Sequence, residues 1–248
     1  MLAGDFSKNT ESALIGTHDD DELPMKPFNL YDILGVLAPG GVVVVGLTVL
    51  FPQCSTVLAS RDISLGGFGV IVLSSYIVGN LIASVGNLLE LVLFKIAGGS
   101  ATAKIRTGVS GCLSKSERQE LEEKLKALRM LNAEEKIETT TAECWNGITR
   151  QMHSFLDGRS RTGRVEMFNA QYGMNRGIAA GLLVLLLLVL FSLGWADGWR
   201  IALILAVCAA LSIFRMLRFS RYYAGELVRQ FLHAPDQQSK TEKSQAEE

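Results

Sequence analysis

Histidine and cysteine are scarce in this chain, with three and four copies in 248 residues. His18, His153 and His233 lie far apart, and none stands at metal-ligand spacing from another histidine or from a cysteine. Cys54, Cys112, Cys144 and Cys208 are irregularly spaced and form no CxxC, so neither a disulfide framework nor a zinc ribbon is expected. The GxSxG, HExxH and phosphate-loop patterns are missing as well. Gly66-Gly67-Phe68-Gly69 merely opens an apolar stretch, and Gly98-Gly99 reads as a helix cap. No enzyme, cofactor or metal site is expected. A secretory signal is also missing. Residues 1–27 carry His18-Asp19-Asp20-Asp21-Glu22 instead of a basic segment followed by an apolar one, and read as a disordered acidic leader.

Positive charge is nearly absent from two further places, and this is informative. Four apolar stretches run over residues 33–52, 68–97, 177–195 and 199–214. Only Arg61 separates the first two and only Arg200 the last two; the other 22 of 24 lysines and arginines fall on the opposite side. Basic segments resist translocation. The pattern predicts an all-α integral membrane protein with four transmembrane helices, both termini in the cytoplasm and a helical cytoplasmic subdomain. Helices 1 and 2 fall in 28–98, a cytoplasmic insert in 99–176, a hairpin of helices 3 and 4 in 177–214, a basic amphipathic helix in 215–233 and a disordered tail in 234–248. Pro39 predicts a kink in the first span, because proline removes a helix hydrogen bond and crowds the preceding turn. The hairpin turn is expected at Trp195-Ala196-Asp197-Gly198-Trp199, between two interfacial tryptophans.

In the insert, Ser116 with Gln119 reads as a capping box ahead of Leu121, Leu125, Leu128 and Leu131. Thr140 with Glu143 reads as a second, ahead of a face formed by Trp145, Ile148, Met152 and Phe155, with Gly158 closing that helix. Residues 164–175 place Val165, Phe168 and Tyr172 on one face and lead into the third span. The apolar residues are too few for a sizeable independent core, so these helices are expected to pack on each other, on the tail or on another subunit. Beyond the fourth span, Arg215, Arg218 and Arg229 share one helical face, and Tyr223, Leu227 and Phe231 another.

The second span carries a broad polar face of Tyr76, Asn80, Ser84, Asn87 and Glu90, with Ala83 on it and Gly79 and Gly86 alongside. Such groups are costly in hydrocarbon and should turn toward protein or water. Two readings stand: helix packing through small residues and interhelical amides, or the lining of a pore, cavity or gate. Asp32, Glu90, Arg176 and Arg215 or Arg218 fall at one depth, either as an ion-pair layer linking spans to insert or as ordinary membrane-flanking charges. Arg159, Arg161 and Arg164, with the tail arginines, form a juxtamembrane basic patch suited to anionic lipid rather than nucleic acid.

The run Tyr31-Asp32-Ile33-Leu34-Gly35-Val36-Leu37-Ala38-Pro39-Gly40 resembles the start of a group of small bacterial four-span membrane proteins. These similarly have a long second span bearing Asn and Ser and a helical insert before a terminal hairpin. Some lie in phage-defence gene neighbourhoods. The resemblance implies a bacterial inner-membrane location and a membrane-disrupting effector or membrane sensor. Three function classes remain open. The first is an oligomeric protein whose second span forms a pore or perturbs the bilayer when its cytoplasmic helices receive a signal. The second is a membrane-anchored scaffold that binds a cytoplasmic protein through Trp145 or Phe155. The third is a transporter assembled as an oligomer.

Overall fold

The computed structural model describes residues 30–51, 65–109, 111 and 113–235. The leader, most of the tail, Cys54, Arg61 and Cys112 lie outside the described residues, as does the side chain of Asp32. Among the described residues every regular element is an α-helix. They are α1 (Leu30–Leu50), α2 (Leu65–Ile96), α3 (Ala101–Thr107), α4 (Lys115–Ala127) and α5 (Ala142–Asp157), followed by α6 (Gly163–Gly194) and α7 (Ala196–Leu232). Three helical runs are long and apolar enough to cross a membrane: Gly67–Thr107, which takes in most of α2 and all of α3, then α6 and α7. α1 holds a shorter apolar helix, Gly35–Leu50.

The membrane-type helices pack in alternating directions. α1 runs antiparallel to α2, and their backbones touch: a Cβ on Gly40 would lie 1.7 Å from the Ser75 carbonyl oxygen, and one on Gly79 would lie 2.1 Å from that of Val36. α1 runs parallel to α6, with Pro39 against Gly177, Val43 against Gly181 and Gly46 against Leu185. Val43, Ile82 and Ala180 form a small buried cluster where α1, α2 and α6 meet. Small residues thus set the crossings, and close backbone approach replaces a large apolar core. Pro39 sits inside α1, which stays helical across it. On the outside, large apolar side chains such as Leu81, Leu91, Phe191, Ile204 and Leu211 stay exposed, the pattern of a lipid-facing surface.

α6 and α7 are one helical run folded back at Gly194, whose φ of 70° and ψ of 176° only glycine adopts readily. The break therefore precedes Trp195-Ala196-Asp197-Gly198-Trp199, and that segment belongs to α7 apart from Trp195. Gly198, one turn further on, lets α7 close on Val189, which a Cβ there would meet at 3.1 Å.

The second body is a helical core. Ile105 of α3, Leu121 and Leu125 of α4, and Trp145, Ile148, Met152 and Leu156 of α5 bury together with Val165 of α6 and Leu227, Val228 and Phe231 of α7. The apolar face of residues 215–233 is therefore spent on protein, and this segment continues the helix of the fourth apolar stretch without a break as far as Leu232. Both expected capping boxes differ in register. Ser114 caps α4, with Glu117 returning the bond to the Ser114 backbone. The sequence offers both S-x-x-[E/Q] registers, and the carboxylate, which accepts a charge-assisted bond, prevails over Gln119. Thr141 rather than Thr140 caps α5, its Oγ1 accepting from Cys144 N at 3.3 Å. Thr140 is buried and donates instead to the Lys136 carbonyl at 3.0 Å.

Candidate functional site

α2 carries two distinct stripes. Ser75, Gly79, Ile82 and Gly86 are buried and face α1 and α6. Tyr76, Asn80, Ser84 and Asn87 are exposed among the described residues. At 100° per residue the two stripes are about a third of a turn apart. Packing within the chain therefore uses the small stripe, and the polar one stands outside. Asn80 Nδ2 donates to the Tyr76 carbonyl at 2.9 Å, and Ser84 Oγ to the Asn80 carbonyl at 3.4 Å. Both bonds fall back on the helix's own backbone, which lowers the cost of a polar group in hydrocarbon but leaves the Asn80 carbonyl group of the amide, and Asn87, open to a partner.

Glu90 lies between the two stripes and is paired with Arg176 of α6, both side chains being three-quarters buried. The Arg176 guanidinium is 5.7 Å from the centre of the Tyr172 ring, and its stem packs over Gly86. Glu90 and Tyr172 also line a cavity of about 150 Å³ with Ser100 and Thr102 of the helical core and with Ser220 and Tyr223 of α7. The pair thus stands where the apolar bundle meets the core. Arg215 and Arg218 are placed elsewhere: Arg215 lies 5.7 Å from the Phe219 ring centre, and Arg218 Nε donates to Tyr222 Oη at 2.7 Å.

Arg159, Arg161 and Arg164 each have a contact of their own. Arg159 stacks on Phe155, 3.5 Å from its ring centre. Arg161 donates to the His233 carbonyl at 3.2 Å. Arg164 pairs with Glu226 at 3.4 Å across the α6–α7 groove. Phe168 of α6 meets Phe219 and Tyr222 of α7 in the same groove. Arg229 pairs with Glu117 at 3.5 Å. The Glu117 carboxyl is held below its usual range chiefly by the Ser114 backbone and hydroxyl, with Arg229 adding to the effect.

Trp145 and Phe155, the aromatic anchors of the scaffold reading, serve the core. Trp145 is buried, with Nε1 donating to the Thr102 carbonyl at 2.8 Å. Phe155 meets Phe231 edge-on at 5.3 Å. Ser75 and Tyr222 are not among the residues that the sequence pattern points to; the i, i+4 spacing of Ser75 and Gly79 is the signal for the first. Cys144 and Cys208 are exposed free thiols. Comparison of the chain with protein-family models, curated proteins and solved structures finds no match.

Proposed function

We propose that this chain is a non-enzymatic, oligomeric four-span protein of a bacterial inner membrane. Its second helix forms a pore or perturbs the bilayer, under control of a helical core on the cytoplasmic side. α1 acts as the fourth span: its 21 residues reach about 32 Å, against roughly 30 Å of hydrocarbon. Its seat between α2 and α6 supports this. The lopsided distribution of lysine and arginine supports cytoplasmic termini. The observation that carries the functional reading is the outward stripe of Tyr76, Asn80, Ser84 and Asn87. In a single copy these groups would face lipid at a cost, and a second copy or a water-filled lumen relieves it. The Glu90–Arg176 pair supports control from the core, because it joins the stripe-bearing helix to α6 at the junction of the two bodies. The phage-defence expectation rests on the resemblance of residues 31–40 alone. The scaffold reading draws less support, since Trp145 and Phe155 are committed internally.

The test is the oligomeric mass of the nanodisc-embedded protein beside Asn80→Leu/Asn87→Leu. Neither residue touches the intra-chain core, so folding should survive. A defined oligomer that dissociates in the variant is the expected result. A monomer in both would sink the proposal.

A further inference from the structure

Where α6 and α7 leave the apolar bundle, they enclose a cleft of about 610 Å³ lined by Arg164, Arg218, Arg221, Arg229, Phe168 and Tyr222. Four guanidiniums meet there with one carboxylate, Glu226, and that carboxylate is already engaged by Arg164. Arg229 is held by Glu117 at 3.5 Å. Arg218 and Arg221 are different. Arg218 Nε donates to Tyr222 Oη at 2.7 Å, and Arg221 Nε, more weakly, to the Leu217 carbonyl at 3.4 Å. Both bonds are local to α7 and orient the planar groups while leaving terminal N–H donors open. Among the described residues no carboxylate lies within ion-pairing distance of either. A pair of oriented guanidiniums in excess over carboxylates is a site for a phosphate oxygen pair.

Depth narrows the choice of phosphate. Measured along α7 from Ala196, Phe214 is at about 27 Å, Arg218 at about 33 Å and Arg221 at about 38 Å, and Phe168 is about 39 Å along α6 from Gly194. With roughly 30 Å of hydrocarbon, Phe214 falls at its edge and the two arginines in the headgroup layer. Phe214, exposed and also lining the cleft, offers an apolar mouth on the bilayer side. An amphiphile suits this arrangement better than a free ion.

We propose that this cleft binds the phosphate of an anionic phospholipid, with Arg218 and Arg221 on the headgroup and Phe214 against the start of an acyl chain. The proposal rests on the membrane placement above but not on the oligomer.

The test titrates the detergent-solubilised full chain with phosphatidylglycerol, phosphatidylcholine or inorganic phosphate, and counts bound molecules by native mass spectrometry. Phosphatidylglycerol is expected to bind about tenfold more tightly than phosphatidylcholine. Arg221→Gln is expected to cut that preference about fivefold, and Arg218→Gln/Arg221→Gln to abolish it. Arg215→Gln, one residue past Phe214 and outside the cleft, should leave the preference intact. Arg221 bonds only to its own helix, so the single variant keeps the test decisive if the double variant fails to fold. Equal binding of the two lipids overturns the proposal. So does inorganic phosphate displacing the lipid at equal concentration, which would make the cleft a free-phosphate site. An equal loss in Arg215→Gln would show diffuse attraction to anionic lipid and overturns it as well. Oligomer mass read in the same spectra separates failure here from failure of the assembly reading.

Discussion

Glu90 and Arg176 show how much a single charge next to an apolar run reveals. Each is recognisable in sequence as a group that hydrocarbon will not hold unpaired, and their depth follows from counting residues. That they meet depends on α2 and α6 lying antiparallel with Gly86 under the arginine stem, which no local pattern specifies. The same limit explains Arg215, close to Arg176 in depth, and Arg218 about a turn beyond, both turned onto aromatic rings of their own helix. Replacing Glu90 by Gln leaves a three-quarters-buried cation without its counter-charge. Thermal unfolding in detergent is expected to show a loss of about 1–2 kcal/mol, discounted for the partial exposure of both groups. Adding Arg176→Gln should recover part of that loss. Strict additivity of the two substitutions would mean that the pair does not couple.

Helices were easier to find than their ends. Hydrophobic period locates α4 and α5 because it sums over many residues, whereas a cap depends on one hydroxyl and one carboxylate reaching each other. Overlapping registers, Ser114 with Glu117 and Ser116 with Gln119, both fit the sequence pattern, and the box that forms is the one with the carboxylate. The hairpin illustrates the same point. The two tryptophans and Asp197-Gly198 suggest the turn, yet the chain reverses at Gly194, the residue that holds a positive φ. Gly194→Ala should therefore cost about 1–3 kcal/mol, read as a lower unfolding midpoint, whereas a change within the normal scatter of surface substitutions would place the reversal elsewhere.

The molecule joins an apolar bundle held by close backbone contact to a helical core held by side-chain burial, and α6 and α7 run through both. Leu227 and Phe231 of α7 bury against Leu121 and Leu125 of α4 and Trp145 of α5. Phe231→Ala, which empties the centre of that core, is expected to cost about 3–5 kcal/mol. Hydrogen exchange should show protection lost together across α3, α4 and α5 while α1 and α2 keep theirs. An insert that stays protected would mean that it folds without the tail. Fold class and membrane-type helices were legible from the sequence because hydropathy and charge are carried residue by residue and summed along the chain. Which side of α2 faces its own bundle, which arginines face Glu90 and which line the cleft were not. Each depends on the rotation of one helix against another, set by contacts such as Gly40 on Ser75 and Gly181 on Val43. A rotation of a third of a turn would exchange the buried and the exposed stripe of α2 without changing the mean hydropathy that marks it as a span.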